Sequence, residues 1–426
     1  MDMPDLVKAS RWALAVTLAA LPAYVLRFKI GPIPSTGLEV LVIVTIVLYV
    51  VGRWREGMRR PVRTPLDIPI LILLLTGLIG VIVPHDHLGA LGIYRAYFIE
   101  PVLLYYVAVD LLRQAEDFRD LLVGFGVGST AFALLQLGAW AVAVAHGSVD
   151  IRAAPEAIYT SANSVALYLE PAAALALGLV VYSLPGRVRW LALAWLVVLT
   201  AASILTLSRG LYAAFGAVVL FGIVSISNAR VRWALIIAVI VIGLGSLRIP
   251  YISTRVFGVH GPETSFDSLA QRFSIWTSSI HLIRDHPIFG VGLRAYQTAI
   301  VPYVLPGEVP ELYPHNVWLA FWVQVGIAGL LTFVFIFLWM LVVAWRTFQR
   351  ATGITKAVLW GVVAALIMFG VHGMVDTPYY KNDLAVEFWF LAALNIAAIA
   401  MVGVEARAPR AAAPQGAPRA ARGTAT

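Results

Sequence analysis

Runs of about twenty apolar residues recur along nearly the whole chain, interrupted by short polar stretches. About 20 such residues suffice for a helix to cross a ~30 Å hydrocarbon layer. The pattern predicts spans at 11–28, 36–51, 67–84, 94–112, 119–146, 162–183, 188–207, 209–226, 231–247, 316–345, 356–377 and 384–402. The alternation of barrel strands is absent, and in lipid only helices and closed barrels satisfy their own backbone groups. The expected fold is therefore an all-α polytopic membrane protein with about 12 transmembrane helices. Leu14 to Leu26 lacks a small-residue cleavage exit and is read as part of the first span.

One long stretch breaks the rhythm. Residues 1–247 hold the first nine spans, 316–402 the last three, and 248–315 a mixed loop with a predicted surface helix at about 267–286. In that helix Leu269, Phe273, Trp276, Ile280 and Ile283 form an apolar stripe, with Asp267 as N-cap and Pro287 as its limit. Arg272 lies beside the stripe and can point inward. A further short helix is expected around Leu293–Val304. Residues 403–426, rich in Ala, Pro and Arg, are expected to be a disordered tail.

Composition agrees with the pattern: 60% of residues are hydrophobic, only 13% are charged, and mean hydropathy is +0.85. A soluble chain would carry nearer a quarter charged. With no cysteine, disulfides, thiolate metal sites and cysteine nucleophiles are excluded. The net charge of +8 sets orientation and does not indicate a nucleic-acid partner. Of 31 Lys and Arg, 20 fall on the side that holds both termini, among them Arg53, Arg55, Arg59, Arg60 and Arg63. By the positive-inside rule both termini are cytoplasmic, the 248–315 loop is extracytoplasmic, and the basic excess faces anionic lipid.

Three positions draw chemical attention, each with a bland alternative. Arg209 opens the eighth span, where it is either a solvated hairpin arginine or, with the helix N–H groups, part of an anion site. Arg272 is either an interfacial arginine or a second cation for the same anion, since guanidinium fits phosphate oxygens bidentately. His315 precedes Asn316 at the start of the tenth span, where it is either a structural histidine of the helix start or a catalytic group. Beside arginines and a helix N-terminus its pKa is expected to be lowered, which would suit a general base.

Weaker signals remain. Asp376 and Tyr379 can orient a sugar hydroxyl or merely end a helix, and Asn316 and Arg294 are further candidates for sugar or acceptor contacts. Gly290-Val291-Gly292 lacks the strand–turn–helix setting of a nucleotide loop. His85 and His87 have no third ligand, and His281 and His286 are poorly spaced for one metal. Glu100 would need a buried partner that the sequence does not identify. No metal and no cofactor is expected.

The ordered trio SRG (208–210), QRFxxW (271–276) and PHN (314–316), with a large loop before the tenth span, resembles the family of O-antigen ligases and O-antigen polymerases. The resemblance covers most of the chain, best at about 160–400. It implies a GT-C-like, metal-independent, inverting glycosyltransferase of the bacterial inner membrane. Its donor would be a glycan on undecaprenyl diphosphate, and its acceptor a hydroxyl of lipid A–core or a similar glycolipid or glycan, met on the periplasmic face. Arg209 and Arg272 would match the arginines that bind the donor diphosphate, and His315 the histidine that activates the acceptor. A polymerase with the same donor is the alternative. A transporter or flippase fits less well, because the distinctive charges cluster at the outer ends of the spans.

Overall fold

The computed structural model describes residues 5–31, 33–57, 62–149, 154–183, 186–249, 252, 268–305 and 308–407. The expected tail beyond 407 and the N-cap at Asp267 lie outside the described residues. From the N-terminal side, α1 (Leu6–Ala19) is followed by a hairpin of β1 (Arg27–Ile30) and β2 (Ile33–Thr36), which leads into α2 (Gly37–Arg55). Next come α3 (Asp67–Ile82), α4 (His87–Tyr94) and α5 (Glu100–Leu111), the last two joined by a π turn at Arg95–Ile99. The middle of the chain forms α6 (Asp117–Ala145), α7 (Ala162–Tyr182), α8 (Arg187–Ile204), α9 (Arg209–Ser225) and α10 (Ala229–Ser246). After α11 (Ser268–Asp285), three long helices close the fold: α12 (Val317–Phe348), α13 (Gly353–His372) and α14 (Asn382–Arg407).

This is an all-α membrane architecture. Helix occupies all or part of each predicted segment, and among the described residues 8 helices are long and apolar enough to cross a membrane. The apolar α3 and α9 are shorter. Burial separates centre from periphery: 78% of the apolar window of α7 and 89% of that of α14 are buried, against 0% for α10. The helices that run through the middle are thus the ones able to hold polar groups away from lipid.

Two expectations need correction. The first predicted span, 11–28, ends early as helix: α1 stops at Ala19, a 3-10 turn follows at Leu21–Val25, and Arg27 already lies in β1. Pro22 sits at the start of that turn, and Gly31 at φ +61 reverses the chain between the strands. Thr36 and Glu39 then start α2 with a reciprocal capping box. The second correction concerns α11. Its bounds match the prediction, but the packed face carries Arg272, Trp276, Ser279, Leu282 and Ile283, while Phe273 and Ile280 are exposed. A helix lying on a membrane protein has two apolar environments to face, so an apolar stripe alone does not say which residues meet protein.

The segment after α11 repairs a break in α12. Gly326, at φ 75 and ψ 179, interrupts the helix. The Ile327 N–H donates to Ile288 O at 3.1 Å and the Val291 N–H to Val323 O at 2.7 Å, so the loop supplies backbone partners where the helix cannot. Leu293 N–H adds a bond to Gly80 O at 2.8 Å, tying the loop to α3. A side chain at Gly326 would run into the Ile288 carbonyl.

Candidate functional site

Four helix starts and one helix end meet at the end of the bundle that carries α11. Three of the starts are capped by side chains of their own sequence: Ser161 accepts from Ser164 N at α7, Ser208 from Leu211 N at α9, and Asn316 from Leu319 N at α12. Asn316 also donates to Met374 O at 2.9 Å, fixing α12 to the turn after α13. Its amide is thus used in capping and bracing rather than held out for a substrate.

Two of these starts follow residues with backbone in the left-handed region: Leu207 at φ 56 and His315 at φ 46. Such a conformation costs about 1–3 kcal/mol for a residue with a side chain. It lets the chain turn sharply into the helix, so that Arg209 opens α9 and His315 immediately precedes α12. Arg294, at φ 67, is the remaining non-glycine residue of this kind among those described.

Asp376, in the turn between α13 and α14, is the hub. It is 6% exposed. Its Oδ2 accepts from Asn163 Nδ2 at 2.8 Å and lies 3.7 Å from Arg272 Nη2; its Oδ1 accepts from Thr377 N at 2.8 Å and faces His315 Nδ1 at 3.4 Å. The opposite ring nitrogen of His315, Nε2, is 3.8 Å from Glu311 Oε2. Trp276, one turn beyond Arg272 on α11, donates from Nε1 to the His315 carbonyl at 3.3 Å. One face of α11 therefore reaches the histidine's backbone and its carboxylate partner together. Arg209 is exposed at the first position of α9, with its charge close enough to disfavour the protonated form of Arg272.

The electrostatics overturn one expectation. Burial pushes the His315 pKa down, and Arg272 acts in the same direction, as anticipated for an arginine neighbour. The carboxylates of Asp376 and Glu311 outweigh burial and Arg272, and the pKa is raised to about 9. Resting His315 is an imidazolium at neutral pH. The sequence showed a helix start and arginines near this histidine but not the two acids, one on each ring nitrogen. The same pairing holds Asp376 well below the usual carboxylate range: burial opposes ionisation, and the His315 hydrogen bond with the charges of His315, His372 and Arg272 prevails. Glu311 is likewise lowered, first by its hydrogen bond with His315. Arg272 is lowered by burial, with Asp376 acting against that and Arg209 adding to it.

Other candidates fall outside this cluster. Tyr379 is fully buried, donating to Tyr97 O at 2.8 Å and accepting from Trp389 Nε1 at 3.1 Å, so both roles of its hydroxyl are taken up within the core. Arg294 pairs with Asp86 at 3.4 Å on the surface. His87 turns Nδ1 to Val81 O at 3.0 Å, and His281 and His286 are exposed. Glu100 finds its partner in Arg95 at 3.2 Å, which also holds Glu39 at 2.8 Å.

Sequence reasoning did not single out Asn163 or Glu311, and it named Asp376 only as a possible sugar or acceptor contact. A polar residue in the first turn of an apolar helix, as at Asn163, is an ordinary helix-start signal. Nothing local distinguishes one that faces a site.

Residues 192–334 match the family model described as O-antigen ligase. The matched stretch runs from α8 into α12; it includes Arg209, Arg272 and His315 and stops short of Asp376. The chain thus resembles an O-antigen ligase-like family, as its SRG, QRFxxW and PHN motifs suggest. No curated protein matches the chain.

Proposed function

We propose that the protein is a ligase-type glycosyltransferase that moves a glycan from undecaprenyl diphosphate to an acceptor hydroxyl of lipid A–core or a similar glycolipid. The observation that carries this reading is the Asp376 hub, which links Arg272 and His315 beside Arg209 at the start of an apolar helix. Arginines and helix N–H groups suit a diphosphate, whose charge grows as its bond to the sugar breaks. The match to the O-antigen ligase family supports the same chemistry. The site end faces the periplasm and both termini the cytoplasm, in keeping with Arg11, Arg53 and Arg113 at the far end of the bundle.

In this mechanism Arg209 and Arg272 clamp the diphosphate and take the part a metal ion plays elsewhere. The acceptor oxygen attacks the anomeric carbon from the opposite side. The bond from that carbon to the diphosphate oxygen breaks, and its electron pair leaves with undecaprenyl diphosphate. The configuration inverts. The hydroxyl proton passes to Nε2 of His315, where the acceptor takes the place of Glu311, and Asp376 at Nδ1 stabilises the imidazolium that forms.

The pKa of about 9 gives the test its sign. Only the deprotonated histidine accepts the proton, about one molecule in a hundred at pH 7. Transfer by purified protein, expressed as kcat/KM, should therefore rise with pH and level off near 9. His315→Ala should abolish that limb and lower transfer by ~10²–10⁴-fold. A rate that falls with rising pH would show that the imidazolium is the active form and that the base is another group. Full transfer by Arg209→Ala and by Arg272→Ala would remove the diphosphate site. Gene deletion separates a ligase from a polymerase: loss of a ligase leaves long unattached polymer, and loss of a polymerase leaves single repeats.

A further inference from the structure

Directly behind Arg209 lies a second acid–histidine pair that the mechanism does not use. Glu170 of α7 and His372, the last residue of α13, are 2% and 0% exposed, with Nδ1 of the histidine 2.5 Å from Glu170 Oε1. Both belong to helices long and apolar enough to cross a membrane. Ionisable groups placed there are costly and call for a role.

The rest of the ring points to one. With Nδ1 turned to the carboxylate, Nε2 is buried without a hydrogen-bond partner among the described residues. It faces the first turn of α9. A Cβ placed on Gly210 would lie 2.5 Å from His372 Cδ2, 2.6 Å from its Nε2 and 3.1 Å from Val375 Cγ2. Gly210 is an ordinary helical residue, so the glycine serves space and not backbone conformation. A helical glycine costs about 0.5–1 kcal/mol relative to alanine, and here that cost admits an imidazole against the helix backbone. His372 also reaches the other half of the site, because its carbonyl accepts from the Asp376 N–H at 2.9 Å. The His372 ring, held by Glu170, thus packs against the turn that carries Arg209, while its backbone carbonyl ties it to the turn that carries Asp376.

We infer that the Glu170–His372 pair is a positioning element that sets the first turn of α9, through the ring's contact with Gly210, so that Arg209 meets the donor diphosphate. The inference rests on the donor site proposed above. It makes His372 a residue that acts through its neighbours and touches no substrate.

The test uses the full-length protein in liposomes, with an undecaprenyl-diphosphate-linked glycan as donor and lipid A–core as acceptor. Donor KM, acceptor KM and kcat are measured for Gly210→Ala, His372→Ala, the double variant and His372→Gln. Gly210→Ala should raise donor KM about tenfold and leave acceptor KM unchanged, since the new methyl displaces the turn. The double variant should be no worse than His372→Ala, because removing the ring makes room for the methyl. His372→Gln, which keeps a polar group towards Glu170, should recover part of the donor affinity lost in His372→Ala. Independent, multiplying effects of Gly210→Ala and His372→Ala would overturn the inference, as would equal loss in donor and acceptor KM. If Gly210→Ala does not fold, an unchanged donor KM in both His372 variants overturns it. Arg209→Ala is the control for the underlying reading: an unchanged donor KM there removes the donor site itself, independently of the His372 result.

Discussion

At the end of the bundle opposite α11, Asp110 is pressed against Arg53 and Arg113, and Asp117 holds Arg11 at 2.6 Å. At the α11 end, Asp376 also has two cationic neighbours, but His315 stands at 3.4 Å and Arg272 at 3.7 Å. Charge-assisted hydrogen bonds normally settle at about 2.7–2.9 Å. The far end is therefore a set of closed pairs, with each acid satisfied by arginines, and suits anchoring helix ends at an interface. The α11 end holds similar groups apart, within electrostatic reach but short of close contact, in a cluster that includes an exposed arginine and strained backbone at Leu207 and His315. Slack of this kind leaves room for the oxygen atoms of a ligand to complete the geometry.

That comparison can be broken experimentally. The largest effect is expected at Asp376→Asn, which removes the carboxylate shared by the histidine and the arginine. Transfer should fall by ~10²–10³-fold, in the manner of a catalytic histidine deprived of its acid. The alkaline limb of the pH profile should also move to lower pH, since Asp376 raises the His315 pKa. Retention of full rate with an unmoved limb would reduce Asp376 to a helix-end residue. Next comes Arg272→Lys, which keeps the charge but loses the planar fork. About tenfold loss in donor kcat/KM is expected there, with no loss for Arg11→Lys at the far end. Equal behaviour of the two would erase the distinction between the ends.

Glu311→Gln should be milder and is informative in its sign. One of the two acids that raise the His315 pKa is removed, so the limb shifts down and transfer at pH 7 rises or holds. A collapse of activity would instead place the base on Glu311. The smallest kinetic effect is expected at Asp110→Ala. Loss of its charge-assisted hydrogen bonds should cost ~1.5–3 kcal/mol of stability, read as a lower melting temperature, with kcat and KM of the folded protein unchanged.

Several features were legible before any coordinates. Arg209, Arg272 and His315 stood out because they interrupt apolar segments or precede helices, and interruptions are visible one residue at a time. The bounds of α11 followed from local punctuation. Which side of α11 meets the protein did not, because Phe273 and Ile280 can be satisfied by lipid while Ser279 packs inward against Tyr296, with the two hydroxyls 2.8 Å apart. Asn163 and Asp376 are separated by 213 positions and Glu170 and His372 by 202, so no local pattern pairs them.

The sequence by itself determined the membrane class and singled out Arg209, Arg272 and His315 as candidates. Each rests on apolar length, capping chemistry or residue type, which belong to short stretches of chain. Only the tertiary structure decided the charge state of His315, the hub role of Asp376 and the space that Gly210 leaves for His372. Burial, charge and steric fit are sums over neighbours brought in from distant segments. Near His315 those neighbours reverse the sign: a helix start and arginines argue for a neutral imidazole, and two carboxylates make it a cation.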